Sequence, residues 1–255
     1  MRTPIIAANW KMHKTIQDAL DFVKEAKDDL NAITGSDKAI CAPAVLLAPL
    51  KDALAGSNIL LGAQNMHWET HGAFTGEISP LMLQGLVDLV IIGHSERRQM
   101  FGETDETVNK KIKAALAHDI TPIFAFGETL EQNQSGEAAI ICSNQVKAGL
   151  DGIQVDDAKR VILAYEPIWA IGTGISATPE DANRIIGSVV RATLGELYGE
   201  AVAQEMRIQY GGSMKPANVE ELMAQPELDG GLVGGASLNP ETFIPLVKAA
   251  AAARS

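Results

Sequence analysis

The sequence predicts an α/β fold in which eight parallel strands alternate with helices and close into a (β/α)8 barrel. Short apolar runs recur eight times along the 255 residues, and a segment with helical spacing of apolar positions follows each run. The runs are almost continuously apolar, which is typical of a parallel sheet that is covered on both faces. A doubly wound open sheet is the alternative. Because no linker or charge block divides the chain, we expect one domain over residues 1–255.

The predicted strands are short runs rich in Ile, Leu, Val and Ala, and most of them end at a glycine, a proline or a polar residue. They lie at residues 4–8, 38–42, 59–64, 89–93, 121–126, 161–165, 206–210 and 230–233.

The predicted helices follow these strands, because apolar residues there recur three and four positions apart. They lie at residues 15–30, 46–54, 79–86, 105–118, 137–149, 179–198, 216–224 and 240–253. The clearest is 15–30, which places Ile16, Val23 and Leu30 on one face. A serine or threonine, then a proline and two acidic residues, mark the start of the helix at 179–198.

The segment 161–176 combines a strand, a carboxylate and an apolar loop. Glu166 stands where the strand ends, and Pro167 stops strand geometry at that point. An ionised carboxylate is costly to bury without a partner, so we expect a functional reason for it. The next residues, 168–171, are all apolar and precede Gly172-Thr173-Gly174. This loop is either a lid that closes over the carboxylate and excludes water, or a loop packed against another subunit.

Composition restricts the partners and the compartment. The net charge of −11 argues against nucleic acid, and it means that an anionic substrate must be held by local positive groups. The two cysteines, Cys41 and Cys142, lie in apolar runs, and we expect buried free thiols in a reducing compartment. No signal peptide and no apolar run of about 20 residues is present, so we predict a cytoplasmic protein without a membrane span.

The carboxyl ends of the strands carry the residues that could perform chemistry. All of these ends lie on one face of a parallel barrel, so residues distant in sequence should converge there. The candidates are Asn9 and Lys11, Gln64 and Asn65, His94 to Glu96, Glu128, Glu166, Gly211 to Ser213, and Gly234 and Gly235.

Each candidate has a functional and a structural interpretation. His94 opens a predicted helix, whose dipole disfavours an imidazolium, so a neutral ring could donate to a substrate oxygen; alternatively it packs at a strand end. Lys11 is either a fixed cation for an oxyanion or a solvated lysine. The glycines near 211 and 234 either bind a phosphate or form tight turns. The other histidines lack metal-ligand spacing, so we expect no metal.

Residues 172–177 match G-x-G-x-x-A and precede a helix, which would fit an NAD-linked oxidoreductase. The context argues against this hypothesis, because the dinucleotide fingerprint should turn directly off the strand and residues 166–171 intervene. A phosphate-binding barrel without activity is a further alternative. The presence of Lys11, His94 and Glu166 argues against it.

Seven motifs together resemble the triosephosphate isomerase family, and the match covers essentially the whole chain in order. They are N-W-K-M at 9–12, G-A-Q-N at 62–65, G-A-F-T-G-E at 72–77, I-I-G-H-S-E-R-R at 91–98, Y-E-P-I-W-A-I-G-T-G at 165–174, Y-G-G-S at 210–213 and V-G-G-A-S-L at 233–238.

This resemblance implies a TIM barrel that interconverts dihydroxyacetone phosphate and D-glyceraldehyde 3-phosphate in glycolysis and gluconeogenesis, with no cofactor and no metal. It implies that Glu166 is the base, that neutral His94 polarises the carbonyl, and that Lys11 and Asn9 stabilise an enediolate. The phosphate would be bound by Gly172, Ser213, Gly234 and Gly235. Glu96 would be the supporting carboxylate behind the site.

The resemblance also implies a homodimer. The loop 65–77 would be an arm that enters the partner subunit, with Thr75 near the partner's Asn9 and Lys11. The chain departs from the usual family pattern at three positions. Ala125 stands where cysteine is usual, Ile175 where many members have lysine, and His13 where Asn is common. We expect Ala125 to affect core packing and Ile175 to affect the opening rate of the loop.

Overall fold

The computed structural model describes residues 2–171 and 177–253, and this part of the chain forms a closed barrel of eight parallel strands. In order these are β1 (Ile5–Asn9), β2 (Asp37–Ala42), β3 (Leu60–Ala63), β4 (Leu89–Ile92), β5 (Thr121–Phe126), β6 (Ile162–Tyr165), β7 (Ile208–Tyr210) and β8 (Gly230–Val233). Each strand pairs with its neighbour in sequence, and β8 returns to β1 with Ile5 opposite Gly230. The predicted barrel is confirmed, and the open sheet is wrong.

Helices lie between the strands around the barrel. They are α1 (Ile16–Ala32), α2 (Ala44–Ala53), α3 (Pro80–Leu83), α4 (Ser95–Met100), α5 (Asp105–Ala117), α6 (Leu130–Gln134), α7 (Ala138–Gly149), α8 (Val155–Ala158), α9 (Pro179–Ile185), α10 (Ala192–Tyr198), α11 (Glu200–Glu205), α12 (Val219–Met223) and α13 (Pro240–Ala252). A π-helical segment, Ile186–Arg191, joins α9 to α10, and 3-10 turns lie at Ile168–Ala170 and Gly235–Ser237.

The predicted helix 79–86 is wrong in length. The structure ends α3 at Leu83, because Gln84 takes an extended ψ of 124° and Gly85 follows with a φ of +76°. The predicted strand 206–210 begins only at Ile208. The sequence analysis missed α6, α8 and α11, which are too short for their apolar spacing to form a period.

Helix starts are satisfied locally by side chains. Thr15 accepts from the backbone N–H of Asp18, while the Asp18 carboxylate accepts from the backbone N–H of Thr15. The same reciprocal arrangement joins Thr104 to Thr107 at the start of α5. Such boxes satisfy donors that no helical partner can reach, and they fix where each helix leaves its loop.

The core has two layers, which explains why the strands read as continuously apolar. In β1, Ile5 and Ala7 face the barrel interior, while Ile6 and Ala8 pack against the helices. The interior layer is small and apolar and consists of Ile5, Ala7, Ala39, Cys41, Leu89, Ile91, Ile123, Ala125, Ile162, Ala164 and Leu232. Both strand faces are therefore buried, as the uninterrupted apolar runs indicated.

Among the described residues, no helix combines the length and the apolar composition that crossing a bilayer would require.

Candidate active site

Strand ends from five parts of the barrel meet in one cavity of about 520 Å³. Asn9 ends β1 and Lys11 follows it, His94 follows β4, and Glu166 follows β6. Ser213, Gly234 and Gly235 enter from the loops after β7 and β8. The structure therefore places these predicted residues in one cavity, as expected for the strand ends of a parallel barrel, whereas Gln64, Asn65 and Glu128 do not line it. Gly172 and Ile175 lie outside the described residues, as do residues 172–174 at the end of the predicted lid, whereas its apolar part at residues 168–171 is described.

Glu166 is buried, with 1% of its surface exposed, and its carboxylate has two polar contacts within the described part of the chain. The backbone N–H of Ser95 donates to Oε2 at 2.9 Å, and Nε2 of His94 lies 3.0 Å from Oε1. Two glycines make room for this residue. A Cβ on Gly211 would lie 2.7 Å from Cγ of Glu166, and a Cβ on Gly127 would lie 1.7 Å from its carbonyl oxygen.

His94 is held from both sides of its ring. It is the N-cap of α4, and its Nδ1 accepts from the backbone N–H of Glu96 at 3.2 Å. An Nδ1 that accepts carries no proton, so in this arrangement the ring is neutral and its N–H is at Nε2, which points at Glu166. In this arrangement the ring can donate one hydrogen bond into the cavity.

Lys11 reaches the cavity through a strained backbone, with a φ of +51°. Its Nζ lies 2.6 Å from Oε1 of Glu96, whose Oε2 lies 3.6 Å from Nδ1 of His94. Glu96 therefore stands beside both groups, where the resemblance places it. The amide of Gln64 donates to the carbonyls of Lys11 and Cys41 at 3.0 Å each, which holds the strained segment against β2.

The glycine loops after β7 and β8 form another part of the cavity wall. Gly234 begins the 3-10 turn at Gly235–Ser237, and a Cβ on Gly234 would lie 3.5 Å from Cε of Lys11. A Cβ on Gly235 would meet nothing within 4 Å, so packing does not explain this glycine. By contrast, a Cβ on Gly212 would overlap the Tyr210 ring. Packing explains Gly212, whereas open backbone at Gly235 leaves access for an anion.

Glu128 is the strand-end residue for which the sequence suggested no role. It is fully buried, and its Oε1 accepts from the Tyr165 hydroxyl at 3.1 Å, from Nε1 of Trp169 at 2.8 Å and from Nδ2 of Asn133 at 3.1 Å. It therefore ties β6 and the turn after Glu166 to β5. Burial, together with the Glu128 charge, raises the pKa of Tyr165 well above its usual range.

Lys215 and His67 are two residues whose surroundings the sequence did not indicate. Lys215 lines the cavity and is exposed, and the strand-end rule did not reach it because it lies five residues beyond β7. His67 lies in a loop, where it is buried and stacks on Trp68 with ring centroids 4.1 Å apart. Both cysteines are buried and free, as predicted, and burial raises the pKa of Cys41 to about 12.

Within residues 2–171 and 177–253, no three His, Cys, Asp or Glu side chains are grouped closely enough to hold a metal ion.

Fold and site together define a class of protein: a (β/α)8-barrel enzyme with a buried carboxylate and an imidazole in contact at the strand ends. A sequence profile of the triosephosphate isomerase family matches residues 4–250. The triosephosphate isomerase of Carboxydothermus hydrogenoformans is 53% identical over 249 residues, which cover 97% of this chain and 99% of that protein. The chain belongs to the triosephosphate isomerase family. The predicted enzyme class, an aldose–ketose isomerase, is thereby confirmed.

Proposed function

We propose that the chain interconverts dihydroxyacetone phosphate and D-glyceraldehyde 3-phosphate, in glycolysis and gluconeogenesis, with Glu166 as the base. The observation that carries this proposal is the contact of 3.0 Å between the Glu166 carboxylate and the neutral imidazole of His94 in a cavity that Lys11 also lines. A proton shift next to a carbonyl needs a base and a group that stabilises the oxyanion.

The proton path follows from these contacts. A substrate carbonyl between the two side chains accepts a hydrogen bond from Nε2–H of His94. Oε1 of Glu166 is then free to remove a proton from the carbon next to the carbonyl. The oxygen then carries negative charge, which His94 and the Lys11 ammonium stabilise together with Asn9. Glu166 returns the proton to the neighbouring carbon, and His94 moves the hydroxyl proton between the two oxygens. No electron leaves the substrate, so the step balances without a cofactor.

The phosphate would lie against Ser213, Gly234 and Gly235, with Gly172 completing the set. Open backbone at Gly235 and the 3-10 turn that starts there supply N–H donors for an anion. Local donors are needed here because the net charge of −11 repels a phosphate.

Replacing the base tests the assignment. We expect Glu166→Gln to lower kcat by about a thousand-fold, measured with a coupled assay on glyceraldehyde 3-phosphate. Glu131→Gln, which changes an exposed carboxylate on α6, is the matched control and should keep full activity. Turnover that survives in Glu166→Gln would remove the proposed base. Thermal stabilisation by NAD but not by phosphoglycolate would instead favour the oxidoreductase hypothesis.

We further propose a homodimer in which loop 65–77 enters the partner subunit. A groove of about 540 Å³ adjoins the catalytic cavity and shares Asn9, Lys11 and His94 with it. Its rim carries exposed apolar side chains, including Met12 and Phe101, with 95% and 67% of their surfaces exposed. Such a patch is typical of a protein–protein contact.

Side-chain contacts stiffen the base of loop 65–77, as an arm that inserts into a partner subunit requires. His67 stacks on Trp68 and Phe74, and its Nδ1 accepts from the backbone N–H of Glu69 at 2.9 Å. Residues 71–77, which include Thr75, are all exposed. An arm that is stiff at its base and exposed at its tip can insert into a second copy at a low cost in entropy.

Sedimentation tests the dimer. We expect the unmodified chain to sediment as a dimer at micromolar concentration and Met12→Glu to sediment as a monomer, because the substitution buries a charge in the contact. Ile140→Glu changes an equally apolar exposed residue on α7, away from the groove, and should leave the dimer intact. A dimer that survives in Met12→Glu would place the contact elsewhere.

We also propose that the chain is one folding unit and that it is cytoplasmic. Continuous hydrogen bonding around the barrel supports the first point, and two buried free thiols support the second. A single calorimetric transition and recovery in the soluble cytoplasmic fraction would agree with both, whereas two transitions or recovery outside that fraction would not.

A further inference from the structure

The chain reaches His94 through Gly93, and side chains hold both polar groups of that glycine. The backbone N–H of Gly93 donates to Oε1 of Glu103 at 3.0 Å, and its carbonyl accepts from Nε of Arg98 at 2.7 Å. We propose that Arg98 and Glu103 are positioning residues, which clamp the two peptides around Gly93 and thereby fix the imidazole of His94. This inference rests on the role proposed above for His94.

Gly93 needs such a clamp because a glycine does not by itself fix the direction in which the backbone continues to His94. Its φ is +79°, and a Cβ at this position would lie 2.6 Å from the carbonyl oxygen of Ala125. Only glycine fits here, and glycine is the residue with the widest choice of backbone angles. The pairing of β4 with β5 ends one residue earlier, where Ile92 lies opposite Phe124. Side chains therefore supply the hydrogen bonds that a strand neighbour would otherwise provide.

The arginine half of the clamp is held in place at its far end. Nη1 of Arg98 lies 2.5 Å from Oδ1 of Asp105, and Nη2 donates to the Ala125 carbonyl at 3.4 Å. Its guanidinium thus connects the peptide before His94 to α5 and to β5. An arginine with donors in a planar fork can hold one geometry in this way, which an ammonium group cannot.

The glutamate half is equally fixed. Glu103 has a side chain only 2% exposed, and its Oε2 faces Nε of Arg97 at 2.9 Å and Nζ of Lys111 at 3.2 Å. Two cations on one carboxylate oxygen leave the other oxygen free for Gly93. Because burying an unpaired charge is strongly unfavourable, this carboxylate has little freedom to leave its position.

The consequence for catalysis is geometric. His94 lies 3.0 Å from Glu166 through Nε2 and 3.2 Å from the backbone of Glu96 through Nδ1. Proton transfer is sensitive to such distances, and a displacement of about 1 Å can lower a rate by about a hundred-fold. Without the guanidinium, the Gly93 carbonyl loses its donor, and the peptide that leads into His94 is free to rotate.

Arg98→Met tests this in the full-length chain. We expect kcat to fall about ten-fold or more, with KM within about two-fold of the original, because the proposed phosphate contacts stay in place and only the contact with His94 changes. We also expect the nitrogen-15 NMR signals of the His94 ring to move. Arg98→Lys keeps a donor near the Gly93 carbonyl and should recover part of kcat. Arg160→Met is the control, since Arg160 also joins a carbonyl, that of Leu116, to a carboxylate, but far from the site.

The outcomes separate positioning from stability. A folded Arg98→Met with kcat within about two-fold of the original overturns the proposal, and so does a loss of kcat with unmoved His94 signals. If Arg98→Met does not fold, Asp105→Asn loosens the same guanidinium and should move the same signals. His94→Gln, assayed in parallel, isolates the catalytic assignment. Full activity there would refute the role of His94 without changing what the NMR signals say about the clamp.

Discussion

The two segments that deliver the reacting side chains are built differently. Before His94, charged groups hold the backbone, because Glu103 and Arg98 bond to Gly93 and are themselves ion-paired. On either side of Glu166, the neutral donors of Tyr165 and Trp169 bond to a single carboxylate, that of Glu128, which also accepts from Asn133. The imidazole must stay in one place through the reaction, and the charged clamp suits that need. The base must exchange its contacts for substrate, and among the described residues its carboxylate has two polar contacts to give up.

The largest effect is expected from a substitution in the segment before His94, which charged groups hold. Gly93→Ala forces a side chain into a positive φ and against the Ala125 carbonyl, so we expect a loss of about 4 kcal/mol in the free energy of unfolding. Gly85 has nearly the same φ, +76°, with nothing within 4 Å of its Cβ position, so Gly85→Ala should cost only about 1 kcal/mol. Urea denaturation measures both. Equal losses would show that strain alone, not the contact with β5, makes glycine necessary.

The second prediction concerns the segment around Glu166, where neutral donors bond to Glu128. Glu128→Leu removes the acceptor shared by the Tyr165, Trp169 and Asn133 donors, and we expect a loss of about 3 kcal/mol in the free energy of unfolding. Asn133→Ala removes one donor and leaves the acceptor, so it should cost about 1 kcal/mol. Urea denaturation of both variants measures the two losses of unfolding free energy. A Glu128→Leu chain as stable as the original would mean that the buried carboxylate does not hold this segment.

The third prediction concerns the stability of the chain at alkaline pH, which depends on the Cys142 thiol beside Glu128. Burial first, and the charge of Glu128 second, raise the pKa of Cys142 above its ordinary 9.0. Above about pH 9 the unfolded thiol loses a proton that the folded thiol keeps, so stability falls as pH rises by about 1.4 kcal/mol per pH unit from this group. Cys142→Ala should remove that part of the slope. Urea denaturation between pH 8 and 11 measures it, and an unchanged slope in the variant would contradict the assignment.

The sequence predicted the parts of both segments that follow from periodicity and topology. Apolar runs located β4 and β6, and the strand-end rule brought His94 and Glu166 together across 72 positions of sequence. It could not find the supporting contacts. Arg98 and Glu103 read as ordinary residues of a polar helix and its following loop, because their partners depend on how a turn folds back. Glu128 was noticed only for its position at a strand end, because its donors, which are Tyr165, Trp169, Asn133 and Cys142, come from four separate elements.

The smallest effect is expected at the mouth of the cavity, away from both of the segments compared above. Lys215 is the exposed cation on the side of Ser213, and it can attract an anionic substrate to a chain with a net charge of −11. We expect Lys215→Ala to lower kcat/KM about three-fold at low ionic strength, with the difference vanishing as salt screens the charge. Lys51→Ala, at the end of α2 and outside the cavity, should have no such salt-dependent loss. Equal losses in both variants would assign the attraction to net charge rather than to the local cation.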